Sequence, residues 1–265
     1  MRSFPPWLLT AVLLLGGTVL QAAEGPARSG LVKIPAGTFK PFYAPEEGPP
    51  IIRVEEFQLA ARPVTVANYL KFVQANPVWR KSWVNRVLAD ESYLRNWTSD
   101  FDPGTNTPSD GPVTSVSWYA ARAYAEWSGQ RLPRTMEWEY AASAGFSRVD
   151  GQNDSEFKQQ VLRWYTTPNP ARLPEVGGRT NAFGIQDLHG LVWEWTEDFA
   201  ALASGDSRAS AAPDRDRFCG AGSQGARDPS DFPAFMRYGF RSSLKPNYCV
   251  HNLGFRCAAD SAKRK

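Results

Sequence analysis

Apolar residues recur at helical spacing in two stretches of the chain. In PVTVANYLKFVQAN, Val66, Tyr69, Leu70 and Val73 fall on one face, and Thr65 precedes them as an N-cap. In SVSWYAARAYAEWSG, Trp118, Ala121, Tyr124 and Ala125 share a face; Ser117 can cap its start and Gly129 can end it. A third, short helix is expected from near Thr135, where Glu137 and Glu139 suit the positive end of the helix dipole. In RLPRTMEWEYAAS, Trp138 and Tyr140 are expected in a core, with Arg131 paired to Glu139. In GLVWEWTED, Trp193 and Trp195 alternate with Glu194, the pattern of a strand with one aromatic face. Residues 77–110 and 201–232 are polar, rich in Asp, Pro and Gly, and without period, so they are expected as surface insertions that line a cleft or simply loop.

Composition narrows the architecture. Twenty-one Gly and twenty-one Pro in 265 residues argue against long helices or a regular sandwich and for a loop-rich α+β domain. Residues 1–23 carry Arg2, an apolar run from Trp7 to Leu20 broken by Gly16 and Gly17, and then Ala22 and Ala23, the form of a cleaved secretory signal peptide. The apolar run is shorter than the roughly 20 residues of a membrane helix. The expectation is a periplasmic or secreted protein with no stable membrane insertion after cleavage. One domain is expected over 29–260, followed by a basic tail at 261–265. Ten Trp among 13% aromatics can fill a single large core. The net charge of +3 comes from scattered basic residues, which excludes a nucleic-acid stripe or a polybasic membrane patch.

The catalytic repertoire is narrow. There is no phosphate-binding glycine loop before a helix, no GxSxG and no HExxH. His189 and His251 are the two histidines, so a two-histidine, one-carboxylate iron site cannot be assembled at recognisable spacing. His189, in QDLHGLVW, reads as a hydrogen-bonded scaffold residue.

Four blocks carry a family resemblance: the opening GLVKIPAGTF with the later PVTVANYLKF, then GPVTSVSWYAARAYAEWSGQRLPRTMEWEYAASAG, NAFGIQDLHGLVWEWTEDF and NLGFRCAAD. In that order they resemble the formylglycine-generating enzyme, or sulfatase-modifying factor, family. The resemblance covers nearly the whole chain after residue 29. It implies a single compact domain related to the C-type lectin-like fold, with little regular secondary structure. It also implies calcium, for which Asn181, Asp187 and Glu194 offer hard oxygen ligands; Leu191 stands where the family has a carbonyl-bearing Asn, which weakens that site.

In the family, two cysteines about five residues apart bind copper(I), whose soft character suits thiolates and which activates oxygen to oxidise a substrate cysteine. The matching region here is FCGAGSQGARDPSDFPAFMRYGFRSS. By the nearest register Phe235 replaces one ligand and the other falls near Ser230; no cysteine lies between Cys219 and Cys249. Copper is therefore not expected, and calcium is the cofactor left open. The resemblance places the Cys219 and Cys257 strands side by side, making Cys219–Cys257 the expected disulfide, with Cys249–Cys257, Cys219–Cys249 or free thiols as alternatives. Cys249 is then either an inert thiol or a nucleophile with His251 two residues away. Arg237, Tyr238, Arg241 and Ser242 are expected to line the family's substrate cleft.

Two functions follow as expectations. One is an exported binding or maturation accessory factor for a peptide or protein partner, using that cleft without copper chemistry. The other is a periplasmic oxidase acting on a peptide or protein by a route independent of the cysteine pair. A calcium-dependent carbohydrate binder is a third class, disfavoured by Leu191.

Overall fold

The computed structural model describes residues 30–42, 51–200 and 231–261. The expected signal peptide, most of the basic tail, Cys219 and Ser230 lie outside them. Three expected helices form where the apolar period placed them: α1 over Val66–Ala75, α2 over Trp118–Trp127 and α3 over Thr135–Ala142. Thr65 Oγ1 accepts from the Asn68 amide at 3.2 Å and Ser117 Oγ from the Ala120 amide at 3.1 Å, so both predicted caps satisfy an orphan donor of the first turn. Gly129, just past α2, has φ +69°, a left-handed position that glycine takes without penalty.

Strands are short. A three-stranded antiparallel sheet runs β1 (Leu31–Ile34), β4 (Phe57–Ala60), β7 (Ala258–Asp260), so both ends of the described chain flank one central strand. The registers Ile34↔Phe57 and Leu59↔Ala258 put four buried side chains together. A hairpin pairs β2 (Gly37–Phe39) with β3 (Ile52–Val54), and β5 (Trp193–Glu194) runs parallel to β6 (Leu253–Gly254).

The larger core joins α1 and α2 through rings: Tyr69 stacks on Tyr124 at 5.8 Å, and Phe255 meets Tyr124 edge-on at 5.3 Å. A smaller core beneath the sheet holds Ile34, Leu59, Trp138, Tyr140 and Ile185. Residues 77–110 are not a plain surface insertion. They have little regular structure, yet Val84, Ala89, Tyr93, Leu94 and Trp97 enter the larger core, and Tyr93 Oη lies 2.8 Å from Tyr69 Oη. Their apolar residues are delivered by successive turns rather than by a helix or strand, which is why no period marks them.

Two further helices form. Helix α4 spans Ser155–Thr166, capped by Asp154, whose Oδ1 accepts from the Phe157 amide at 3.0 Å. Helix α5 spans Phe232–Ser243, capped by Asp231, with Pro233 in the first turn where its missing N–H costs nothing. The segment FMRYGFR, for which the sequence predicted no element, is thus helical. None of the helices among the described residues is long and apolar enough to cross a membrane.

Candidate functional site

The motif blocks converge on a buried ion pair. Glu194, from GLVWEW, and Arg256, from NLGFR, are fully buried; Arg256 Nε and Nη2 donate to the two carboxylate oxygens at 2.7 Å each. Trp138 Nε1 donates to Glu194 Oε2 at 2.8 Å, and the rest of the Arg256 fork is satisfied by the carbonyls of Ala60, Ala61 and Gln186. Gly254 is required beside them, since a Cβ there would lie 2.4 Å from the Val113 carbonyl oxygen. Both Glu194 carboxylate oxygens, expected as calcium ligands, accept from Arg256. Asn181 is likewise used, donating to the Ala141 carbonyl and accepting from the Phe183 and Ile185 amides. Asp187 accepts from the Gly177 and Gly178 amides. Among the described residues no group of three His, Cys, Asp or Glu side chains could hold a metal ion.

The second buried cluster replaces an expected pair. Arg131 does not reach Glu139; it binds Glu137 and Asp260, both at 2.7 Å. Glu137 and Glu139 lie two residues apart on α3 and therefore point to different sides of it. Glu139 meets α5 instead, where Arg237 and Arg241, four residues apart, share a face. Arg237 Nη2 donates to Glu139 Oε2 at 2.8 Å, Arg241 Nη1 donates to Oε1 at 2.5 Å, and Arg237 Nη1 reaches Tyr165 Oη of α4 at 3.2 Å. Burial alone would raise the Glu139 carboxyl, but the two guanidinium groups bring it down to about 2.

This cluster borders a cavity of about 1150 Å³ between the end of β2, α3, α4 and the first turns of α5. Phe39, Phe42, Phe157, Val161, Leu162 and Phe232 give it apolar walls, and Glu139, His189 and Arg237 a polar one. His189 is held by Nε2 at 2.9 Å from the Ala142 carbonyl, so that nitrogen carries the proton; Nδ1 is covered and without a partner. Burial, with Arg237 adding to it, pushes the imidazole down to about 4, which leaves it neutral at pH 7.

Of the residues expected in a substrate cleft, Arg237 alone lines this cavity. Arg241 lies behind it on the same carboxylate; Tyr238 is buried against Phe42, with ring centroids 5.7 Å apart; Ser242 Oγ turns back to the Gly239 carbonyl at 2.8 Å. The proposed nucleophile is not assembled. Cys249 is 4% exposed in the larger core and donates to its neighbour Asn247 at 3.5 Å, whereas His251 is exposed on a turn. Burial, aided by the Asp90 carboxylate, pushes the Cys249 thiol far up, so no thiolate forms at neutral pH. Cys257 is also buried, its thiol pushed up to about 12, and these two cysteines are free rather than bonded to each other.

Helix α4 contributes Phe157, Val161 and Leu162 to the cavity's apolar wall and was missed in the sequence. Its signal is nevertheless present: Asp154 as cap, Glu156 in the first turn, and Phe157, Val161 and Tyr165 at intervals of four.

The family model described as the sulfatase-modifying factor enzyme 1-like domain matches residues 14–261. The chain is 28% identical to the inactive C-alpha-formylglycine-generating enzyme 2 of Bos taurus, over 97% of this chain and 96% of that protein. It is 30% identical to the formylglycine-generating enzyme of Mycobacterium tuberculosis, over 63% of this chain and 73% of that one. It is 28% identical to the hercynine oxygenase of Mycolicibacterium smegmatis, over 74% of this chain and 50% of that protein. Among solved structures, PvdO from Pseudomonas aeruginosa aligns with a TM-score of 0.50 at 22% identity, over 87% of this chain and 94% of that chain, and has the same fold.

Proposed function

The chain belongs to the sulfatase-modifying factor family, and from that premise we propose that it is an exported member that binds a peptide or protein partner in the cavity between α3, α4 and α5, as a binding or maturation factor. The carrying observation is the pairing of an intact scaffold and a large lined cavity with a segment, from Gly220 to Tyr248, that contains no cysteine. Copper(I) needs soft thiolates. Cys249 and Cys257 cannot substitute, because both are buried and held as thiols. That a relative matching almost end to end is named an inactive form of the generating enzyme favours the same reading.

The oxidase reading draws on the likeness to an oxygenase, but that protein is twice the matched length and this chain has two histidines, one buried and neutral. A photo-crosslinking residue at position 162, in the cavity lining, tests the binding reading against one at position 87, which is 74% exposed outside that lining. The expected result is a single defined adduct from position 162 in cells that export the protein. The same adducts from both positions, or none from 162, would count against it.

A further inference from the structure

The cluster beside the cavity is unbalanced in charge. Two guanidinium groups share one carboxylate, and no other acid pairs with either among the described residues. The second buried pair nearby, Glu194 with Arg256, is balanced and contributes no counter-charge. Asp231, the remaining acid in the lining, accepts from the Ala234 amide as the α5 cap, and the exposed Lys40 and Lys158 add positive charge to the same lining. Of the five N–H groups of Arg237, those on Nε, one on Nη2 and one on Nη1 are bound, which leaves one on each terminal nitrogen without a partner among the described residues. A buried site with one excess positive charge favours a monoanion, and a guanidinium fork matches a carboxylate in shape.

Ser143, Asn153 and Gln159 are the other polar residues of the lining, and three of its large apolar side chains are also exposed: Ile51 at 43%, Leu162 at 42% and Phe232 at 40%. Exposed apolar groups gathered at one opening mark a surface that is covered when occupied. We propose that this cavity takes a ligand with a single carboxylate and an apolar body, the carboxylate held at Arg237 and the body against Phe157, Leu162 and Phe232. The inference rests on the reading of this cavity as the binding site, and it specifies the chemistry recognised there. A peptide ending in an apolar residue and a free aliphatic acid share that chemistry.

Calorimetric titration of the full chain separates these sources. The probes are a short peptide ending in Leu-Phe as the free acid and as the C-terminal amide, and decanoate beside decanamide. At least one acid is expected to bind about tenfold or more tightly than its own amide, the difference a charge-assisted contact supplies, and the tighter acid identifies the source. Arg237→Gln is expected to abolish the preference for acid over amide. Because that variant disturbs a buried cluster, the exposed position 162 provides a second test: Leu162→Glu is expected to weaken the acid about tenfold or more and Leu162→Lys to leave the acid preference in place. Equal affinity for acid and amide, or an equal effect of Glu and Lys at 162, overturns the inference. If position 162 still crosslinks a partner while neither acid binds, the inference fails and the binding reading stands.

Discussion

Arg256 is the residue on which three motif blocks depend. It is fully buried, and so is its partner Glu194. Removing one member of such a pair leaves an uncompensated buried charge, so Arg256→Met is expected to cost about 3–5 kcal/mol in urea denaturation. The double variant Arg256→Met, Glu194→Leu is expected to recover much of that loss, which would show that the cost lies in the orphaned charge rather than in lost packing. Among the groups that titrate on the acid limb of stability, His189 and Glu139 are shifted furthest. His189 falls from 6.5 to about 4 on folding, so the unfolded chain binds more protons between those values; its contribution is complete above pH 6.5 and lost as pH falls toward 4. Glu139 falls from 4.5 to about 2, so its contribution is complete above pH 4.5 and lost as pH falls toward 2. Denaturation midpoints should therefore decline in two steps, and His189→Gln should remove the upper one alone. A single decline confined to below pH 4.5 in the native sequence would contradict the neutral buried imidazole.

At the scale of elements, legibility followed local signals. Helices α1 and α2 could be read because a capping hydroxyl, an apolar period and a terminator coincide in each. Ser117 is fully buried at the start of α2, and Ser117→Ala is expected to lower stability by about 1 kcal/mol with the fold unchanged, measured by the same denaturation. Helix α5 was not predicted because its buried face is partly polar: Arg237 and Arg241 occupy positions where a helix against a core ordinarily places Leu or Val. Their pairing with Glu139 spans about a hundred residues of sequence, and nothing local announces it. The Arg131–Glu139 pairing failed for the complementary reason, since proximity in sequence does not specify which side of a helix a carboxylate leaves. The Glu194 strand turns its acidic side inward to Arg256 rather than to solvent, between a half-buried Trp193 and a fully buried Trp195.

Taken whole, the molecule separates scaffold from chemistry. Scaffold was legible because the blocks encode mutual contacts: Trp195 Nε1 donates to the Val116 carbonyl at 2.9 Å, Trp138 to Glu194, and Arg256 to Glu194. The cavity was only partly legible, with Arg237 anticipated and the α4 wall not, because a cavity is a property of packed elements rather than of any one of them. Cys249 and Cys257 are expected to resist a thiol reagent in the native protein and to react on unfolding, as buried protonated thiols do. Rapid native labelling of Cys249 would restore it as a candidate nucleophile.

The most direct test of copper-independent function is anaerobic titration of the purified protein with copper(I), followed by oxygen admission with a cysteine-containing peptide. The account predicts no stoichiometric high-affinity copper site and no oxygen uptake above the free-copper control. One tightly bound copper per chain, with oxygen consumed as the peptide thiol is oxidised, would contradict it.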